Sequence, residues 1–372
     1  MKLGMNKLQL TSITELDLSE SEELCRSLGE PSYRGKQILS WMYKKGATDF
    51  NQMSDIPLPF REKLEKSYPV FQTKIHTINT SQDGTEKFLI HLPDNNLIEC
   101  VLLRDGKRRT ACVSTQVGCA MGCSFCASGV LGLTRNLKTG EIIEQVLHIK
   151  NHLPANEHIT NIVFMGIGEP LANYDKVIKS LRIMNADWGL GIGARNITIS
   201  TVGLIEGIRR LAKEGLKVNL AISLHASNDT TRNKIVPSNS NTGIKNILCA
   251  AQEYFNATHR DISFEYTMID GINDSKQDAK LLAQMLKGVQ CNVNILPVNP
   301  IKEGNFAPPA QKTVETFCAV LKNHGVVATV RQRRGINVNA ACGQLRLQIQ
   351  KYCHEEKILH TPPSLFLPAN YK

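Results

Sequence analysis

Cys119, Cys123 and Cys126 lie in one short run, Cys119-Ala-Met-Gly-Cys123-Ser-Phe-Cys126. Thiolates are soft ligands that suit iron–sulfur clusters, zinc or copper(I). Three of them can converge on one small object if the chain loops around it. Gly122 tolerates the positive φ that such a loop needs. The number of ligands matters. A structural zinc site takes four, usually from paired arms, and a ferredoxin cluster takes four thiolates. Three thiolates on a four-iron cube leave one iron open to another ligand. A zinc loop completed by a distant fourth residue is the alternative.

Other residues with chemical potential are scattered along the chain. Gly166-Ile167-Gly168-Glu169-Pro170 combines two glycines, which let a ligand approach the backbone, with a carboxylate that accepts hydrogen bonds from an amino group. No Gly-Lys-Ser/Thr follows, so it is not a phosphate-binding P-loop. Ser200, Ser223-Leu224-His225 and Asn299 each close a strand-like run, where a turn residue and a ligand contact look alike. Cys112 precedes the cysteine cluster, and Cys342 sits among Ala340, Ala341 and Gly343, small residues that let a loop enter a tight site. Either cysteine, like Cys25, Cys249, Cys291 and Cys318, also reads as a small buried hydrophobe. Glu99 by itself reads as a surface carboxylate on an edge strand.

The elements that must position these residues follow from periodicity. Residues 19–70 read as short helices, one opening at Ser19-Glu20-Ser21, one over 33–45 with Ile38, Leu39, Met42 and Tyr43 on one face, and one from Pro59. Arg34, Lys36, Lys44 and Lys45 make this module basic enough to meet phosphates. Runs at 72–78, 86–92 and 97–103, separated by Asp-Gly and Pro-Asp-Asn turns, read as antiparallel strands. A strand at 110–115 leads into the cysteines. Apolar runs at 162–166, 197–201, 218–224, 263–269 and 292–298 then alternate with amphipathic segments, and a further strand is expected at 326–331. About six βα units argue for a parallel sheet, wound open or closed as a barrel. Sites in such folds lie at the carboxyl ends of the strands.

At 372 residues, with 42% hydrophobic content, the chain is long enough for a large core plus an appendage. Its net charge of +10 points to a polyanionic partner, most simply a nucleic acid. Eleven cysteines in a chain of this length do not indicate a disulfide scaffold. The first residues carry no apolar signal core, and no run approaches the roughly 18 apolar residues of a membrane span. The expectation is a cytoplasmic protein with reduced thiols and no membrane association.

Cys-x3-Cys-x2-Cys with Phe125 before the last cysteine resembles the radical S-adenosylmethionine (SAM) superfamily. Ala111-Cys112-Val113-Ser114-Thr115-Gln116-Val117-Gly118-Cys119, the 165–170 stretch, Ser223-Leu224-His225 and Ala340-Ala341-Cys342-Gly343-Gln344-Leu345 together resemble the RlmN/Cfr family of radical SAM RNA adenine methyltransferases. The resemblance spans nearly the whole chain. It implies an α/β fold, a partial (β/α)6 barrel over 105–353 carrying the catalytic-cysteine loop. It adds an N-terminal helical module over 1–71 and a β-rich linker over 72–104. The tail, 354–372, is expected to be disordered.

The resemblance also implies a chemistry. Cys119, Cys123 and Cys126 would hold one [4Fe-4S] cluster. Gly168, Glu169, Ser200, Ser223, Leu224, His225 and Asn299 would bind SAM, with Gly168-Glu169 matching the superfamily segment that holds the methionine amino group. C2 and C8 of adenine are electron-poor carbons that polar methyl transfer reaches badly. The family's route spends two SAM molecules. Cys342 takes a methyl group from one; the radical derived from the other abstracts hydrogen from that methyl, and the methylene radical adds to the ring. Glu99 would accept the ring proton, and Cys112 would release the product by forming a transient disulfide with Cys342. Pro170 matches the C2-methylating branch, where C8-methylating chains carry alanine. The implied substrates are adenosine 2503 of 23S rRNA and adenosine 37 of certain tRNAs, with flavodoxin or ferredoxin as electron donor. C8 methylation and another radical SAM activity are the alternatives.

Overall fold

The computed structural model describes residues 12–130, 132–300 and 306–331. The N-terminal module consists of a 3-10 turn at Ile13–Glu15 and helices α1 (Leu18–Ser27), α2 (Tyr33–Tyr43) and α3 (Leu58–Glu65). Helix α1 opens one residue earlier than Ser19. Asp17 accepts from the Glu20 N–H at 2.9 Å while Glu20 accepts from the Asp17 N–H at 2.9 Å. This reciprocal capping box satisfies two otherwise orphaned donors. Helix α2 buries the expected face, Ile38, Leu39, Met42 and Tyr43. Lys36, Lys44 and Lys45 are left exposed.

Strands β1 (Lys74–Thr80), β2 (Glu86–His91), β3 (Leu97–Asp105) and β4 (Arg108–Cys112) form an antiparallel meander. Strand β4 then turns the sheet parallel, because its other edge pairs with β7 (Asn161–Phe164). Strands β8 (Ile197–Thr201), β9 (Asn219–Ser223), β10 (Ile262–Met268), β11 (Cys291–Pro297) and β12 (Val327–Val330) follow in order. The result is one ten-stranded sheet in which the meander continues directly into the parallel barrel wall. A two-stranded ribbon, β5 (Gln116–Gly118) with β6 (Leu133–Asn136), flanks the short helix α4 (Ala127–Val130) and the cysteine loop.

Helices α5 (Thr139–His152), α6 (Tyr174–Asn185), α7 (Ile205–Lys213), α8 (Asp229–Ile235), α9 (Ile244–Thr258), α10 (Lys276–Met285) and α11 (Gln311–Asn323) occupy the crossovers. One sheet face supplies the main core through Ile162, Phe164, Ile197, Ile199, Leu220, Ile222, Phe264, Val293 and Ile295, all essentially without solvent contact. Cys249 departs from its expected burial and is exposed. Helix α9 buries Ile247, Ala250, Ala251 and Tyr254, and the helical period turns position 249 outward.

One buried carboxylate gathers the two ends of the module onto the barrel, beside the Lys179–Glu20 ion pair and the bonds from Lys150 to the Lys44 carbonyl and from Asn151 to the Gly46 carbonyl. Glu144 on α5 is fully buried and accepts from Ser12 Oγ at 3.1 Å, Thr14 Oγ1 at 2.8 Å, Gln72 N at 3.0 Å and Thr73 N at 2.7 Å. Both ends of the module therefore meet on one carboxyl group, whose pKa burial pushes up. Among the described residues, no helix is long and apolar enough to cross a membrane. Cys342 and the expected C-terminal tail lie outside the described residues.

Candidate functional site at the carboxyl end of the sheet

Side chains of register partners share one face of a sheet, and residues two apart along a strand share it too. Lys87 pairs with Val101, Val101 with Cys112, Cys112 with Val163, and Val163 with Thr198. Glu99 is two residues from Val101, so Lys87, Glu99 and Cys112 lie on one face. This is the face opposite the helix-covered core. Continuing the register adds Ser200 beside Ala221, then Ser223 beside Glu265 and Asn294. Because β3 runs against β4, its start lies beside the carboxyl end of β4. Glu99 thus stands at the same end of the sheet as Cys112.

Glu99 is not on an edge strand, nor is it at the surface. Strand β3 is enclosed by β2 and β4. The Glu99 side chain is 2% exposed and its Oε2 lies 3.0 Å from Nζ of Lys87, itself 0% exposed. Ser114 ties this residue to the glycine-rich loop. Ser114 Oγ donates to the Glu99 carbonyl at 2.5 Å and accepts from the Ile167 N–H at 2.9 Å. Cys112 is buried at the end of β4.

The loop after β7 carries Gly168 at φ +107, where an added Cβ would lie 2.6 Å from Cβ of Gln116. Only glycine permits this approach. Glu169 is buried. It accepts from Leu171 N at 3.0 Å and Val202 N at 2.8 Å, and its own N–H donates to Gln116 Oε1 at 2.8 Å. Burial raises the Glu169 pKa to about 7, even though these donors favour the ionised form. Pro170 opens the 3-10 turn that follows.

Ser200 is the penultimate residue of β8 and Ser223 the last of β9, and Leu224 is buried. His225 is held at φ +61. Its Nδ1 accepts from Thr267 N at 2.9 Å, which assigns the ring proton to Nε2. Burial, with the nearby Arg232 charge, lowers the His225 pKa to about 3, so the ring is neutral. Phe125 meets it edge-on, with centroids 4.8 Å apart. Asn299 is exposed two residues beyond β11.

The cysteine loop is built around Gly118 and Gly122, at φ +83 and +65. A Cβ on Gly118 would stand 1.8 Å from the Gly132 carbonyl, to which Cys119 N also donates at 3.0 Å. Cys119, Cys123 and Cys126 are all partly exposed. Burial raises the Cys119 pKa to about 11 and pushes Cys123 further still, with Cys126 adding to both. Metal coordination would draw off those protons. Three soft thiols on one partly open loop fit an iron–sulfur cluster with a free position. Among the described residues, no three or more His, Cys, Asp or Glu gather tightly enough for a single metal ion.

Sequence reasoning missed Lys87, Ser114, Gln116, Arg232 and Asn273. Asn273 Nδ2 donates to the His225 carbonyl at 2.7 Å and the Thr267 carbonyl at 2.8 Å, which binds the ends of β9 and β10 together. Ser114 and Gln116 stand in the 111–119 run, whose resemblance gave neither a role, and Lys87, Arg232 and Asn273 stand in no distinctive motif. Their partners lie 4 to 53 positions away, most of them on other elements, so the assembled sheet reveals them.

Two family models match, the Radical SAM superfamily over residues 113–282 and the ribosomal RNA large subunit methyltransferase N-terminal domain over residues 11–70. A Rhodopirellula baltica protein described as "Probable dual-specificity RNA methyltransferase RlmN" is 46% identical over 329 residues, 88% of this chain and 89% of that one. A Geobacillus kaustophilus protein with the same description is 42% identical across 94% of this chain and 96% of its own. The crystal structure of a radical SAM methyltransferase from Sphaerobacter thermophilus superposes with a TM-score of 0.88 at 42% identity, covering 90% of this chain and 98% of that one. The expected radical SAM fold is therefore present, and the chain belongs to the RlmN family of radical SAM RNA methyltransferases.

Proposed function

We propose that this SAM-dependent RNA methyltransferase places its methyl group on C2 of adenine. The supporting observation is the shared sheet face that carries Glu99, Lys87 and Cys112, tied through Ser114 to the loop of Glu169. A base, a thiol and a ligand-binding loop are the parts such a reaction needs in one place. Pro170 supports C2 over C8.

Cys119, Cys123 and Cys126 would hold a [4Fe-4S] cluster, which with SAM supplies a 5′-deoxyadenosyl radical once an external donor such as flavodoxin or ferredoxin delivers an electron. The residues of the chain do the rest. Gly168 and Glu169 hold the methionine end of SAM, while Ser200, Ser223, Leu224, His225 and Asn299 orient its ribose, carboxylate and adenine. Cys342 carries the methyl group to the ring. Glu99, beside the Lys87 ammonium, takes the ring proton. Cys112 attacks the Cys342 sulfur: the S–S bond forms as the S–CH2 bond to the base breaks, the carbon keeps that electron pair and takes up a proton to become methyl, and the RNA is freed.

The relatives' dual specificity supports two substrates, adenosine 2503 of 23S rRNA and adenosine 37 of tRNAs. The exposed Lys36, Lys44 and Lys45 support an RNA-contacting role for the N-terminal module. Such a protein would work in the cytoplasm.

The test is nucleoside mass spectrometry. The chain is expressed in bacteria lacking their own C2-methylating enzyme, and 23S rRNA and tRNA are digested separately. 2-Methyladenosine is expected in both fractions. 8-Methyladenosine would overturn the C2 assignment and retain the radical route. Neither product, from protein with a confirmed cluster, would overturn both substrate assignments.

A further inference from the structure

Arg232 lies on α8 with 1% of its surface exposed. Nε donates to the Leu224 carbonyl at 2.8 Å, and Nη2 donates to the carbonyls of Val202 at 2.6 Å and Ser223 at 2.9 Å. Nη1 donates to Oδ1 of Asn239. All four acceptors are uncharged. A buried cation ordinarily has an anion against it. Here the carboxylate of Asp229 is one group removed, accepting from Asn239 Nδ2 at 2.9 Å. The guanidinium therefore keeps most of its charge for whatever else is near.

What is near is the cysteine loop. Ser124 N and Oγ both donate to the carbonyl of Ile235, the last residue of the same helix, at 3.0 and 3.3 Å. Cys123 and Phe125 pack on the apolar cluster of Ile235, Val236, Ile269 and Val298. Phe125 also rests on His225, which follows Ser223 and Leu224, whose carbonyls hold Arg232.

We infer that Arg232 is the built-in counter-charge of the iron–sulfur centre on Cys119, Cys123 and Cys126, and that it raises the centre's reduction potential. The inference rests on the cluster reading given under Proposed function. Reduction takes one electron from the external donor, which is oxidised by one electron, and leaves the centre one unit more negative. In a partly desolvated site, a fixed cation held by neutral dipoles stabilises that more negative state. Net charge and surroundings are the levers that set such potentials. Four N–H groups are already committed to the protein, so Arg232 acts on the centre by its charge and by positioning rather than as a ligand.

The test is an anaerobic redox titration of the reconstituted full chain, followed by electron paramagnetic resonance, with iron and sulfide assayed first. Arg232→Met is expected to keep its cluster and lose about ten-fold in the equilibrium constant for reduction, a midpoint about 59 mV more negative for one electron. Arg232→Lys, which keeps the charge, is expected to lose less than about three-fold. The double exchange Asp229→Asn with Asn239→Asp holds total charge constant and seats a carboxylate directly on the guanidinium. It is expected to move the midpoint in the same direction as Arg232→Met. An unchanged midpoint in a cluster-loaded Arg232→Met protein would overturn the inference. So would equal shifts in the Met and Lys variants with none in the double exchange, since that pattern marks lost hydrogen bonds rather than lost charge. If Arg232→Met assembles no cluster, the double exchange decides in the same two senses. A wild-type chain that assembles no iron–sulfur centre would overturn the cluster reading, and this inference with it.

Discussion

Nζ of Lys87 stands 3.0 Å from Oε2 of Glu99, and the two side chains are 0% and 2% exposed. They come from neighbouring strands, β2 and β3, where Lys87 is opposite Val101 and Glu99 opposite Leu89. Taking either partner away leaves the other charge buried. Lys87→Met is therefore expected to lower stability by about 3–5 kcal/mol. The double replacement Lys87→Met with Glu99→Met should lose less than that single change. Urea denaturation of the three proteins checks the difference. If Lys87→Met costs no more than an exposed substitution, the pair is not what holds Glu99.

Glu99→Gln tests the chemical role separately. The amide nearly matches the carboxylate in shape but cannot take up a proton. Methyl transfer is expected to fall at least about 100-fold, in line with the loss of a positioned base. Cluster content should be unchanged. Product formation near the wild-type rate would remove Glu99 from the reaction.

Alanine at Cys112 or at Cys342 is expected to leave iron and sulfide content at wild-type levels and to abolish turnover. On the proposed reading the cluster is held by Cys119, Cys123 and Cys126, so neither replacement would remove a ligand. Iron analysis beside a methylation assay reads both properties. Cluster loss in either variant would instead mark that cysteine as a fourth ligand.

Gly118→Ala should separate folding from cluster assembly. The added methyl would sit 1.8 Å from the Gly132 carbonyl, at a φ of +83 that alanine resists. The barrel core lies elsewhere and should still fold. Circular dichroism close to wild type with less than half the iron is the expected result. A full cluster in this variant would show that the loop has another way to close.

Glu169 sets a pH dependence. Its pKa is raised to about 7, chiefly by burial. Below that pH it carries its own proton and, on the proposed reading, would stop serving as a charged acceptor for the methionine amino group. Ligand binding favours the ionised form, so lowering the pH works against binding. Affinity for SAM should weaken on acidification through about 7 and flatten above it. Calorimetry on the cluster-loaded protein between pH 6 and 8.5, roughly the span in which a group with this pKa changes charge, would show the limb. Glu169→Gln should bind weakly throughout, without the limb Glu169 contributes.

Legibility from sequence followed the range of the interactions. The βα alternation and the strand runs near 162–166, 197–201 and 292–298 were readable because a buried strand writes its pattern locally. The cysteine loop and the Gly168-Glu169 turn were readable because one short segment carries the whole feature. Helix α1 is capped by Asp17 and starts at Leu18 rather than Ser19, since either residue could cap and only the reciprocal bond with Glu20 distinguishes them. Lys87 looked like any polar residue in an alternating strand. It becomes notable only when the sheet register sets it beside Glu99. Arg232 was likewise one basic residue in a short polar helix, and its meaning comes from carbonyls 8, 9 and 30 positions away.

Glu144 and Gln145 are consecutive on α5 and reach in two directions. Glu144 grips both ends of the N-terminal module. Gln145 grips Ser114, accepting from its N–H at 2.8 Å and donating to its carbonyl at 3.0 Å, and Ser114 holds Glu99 and Ile167. Two adjacent residues thus join the basic module and the reaction mouth into a caliper with fixed jaws. An RNA gripped on the module would have to present its adenine at a set span. On the proposed reading, selection of the substrate would then depend on that span as well as on the contacts at the target base.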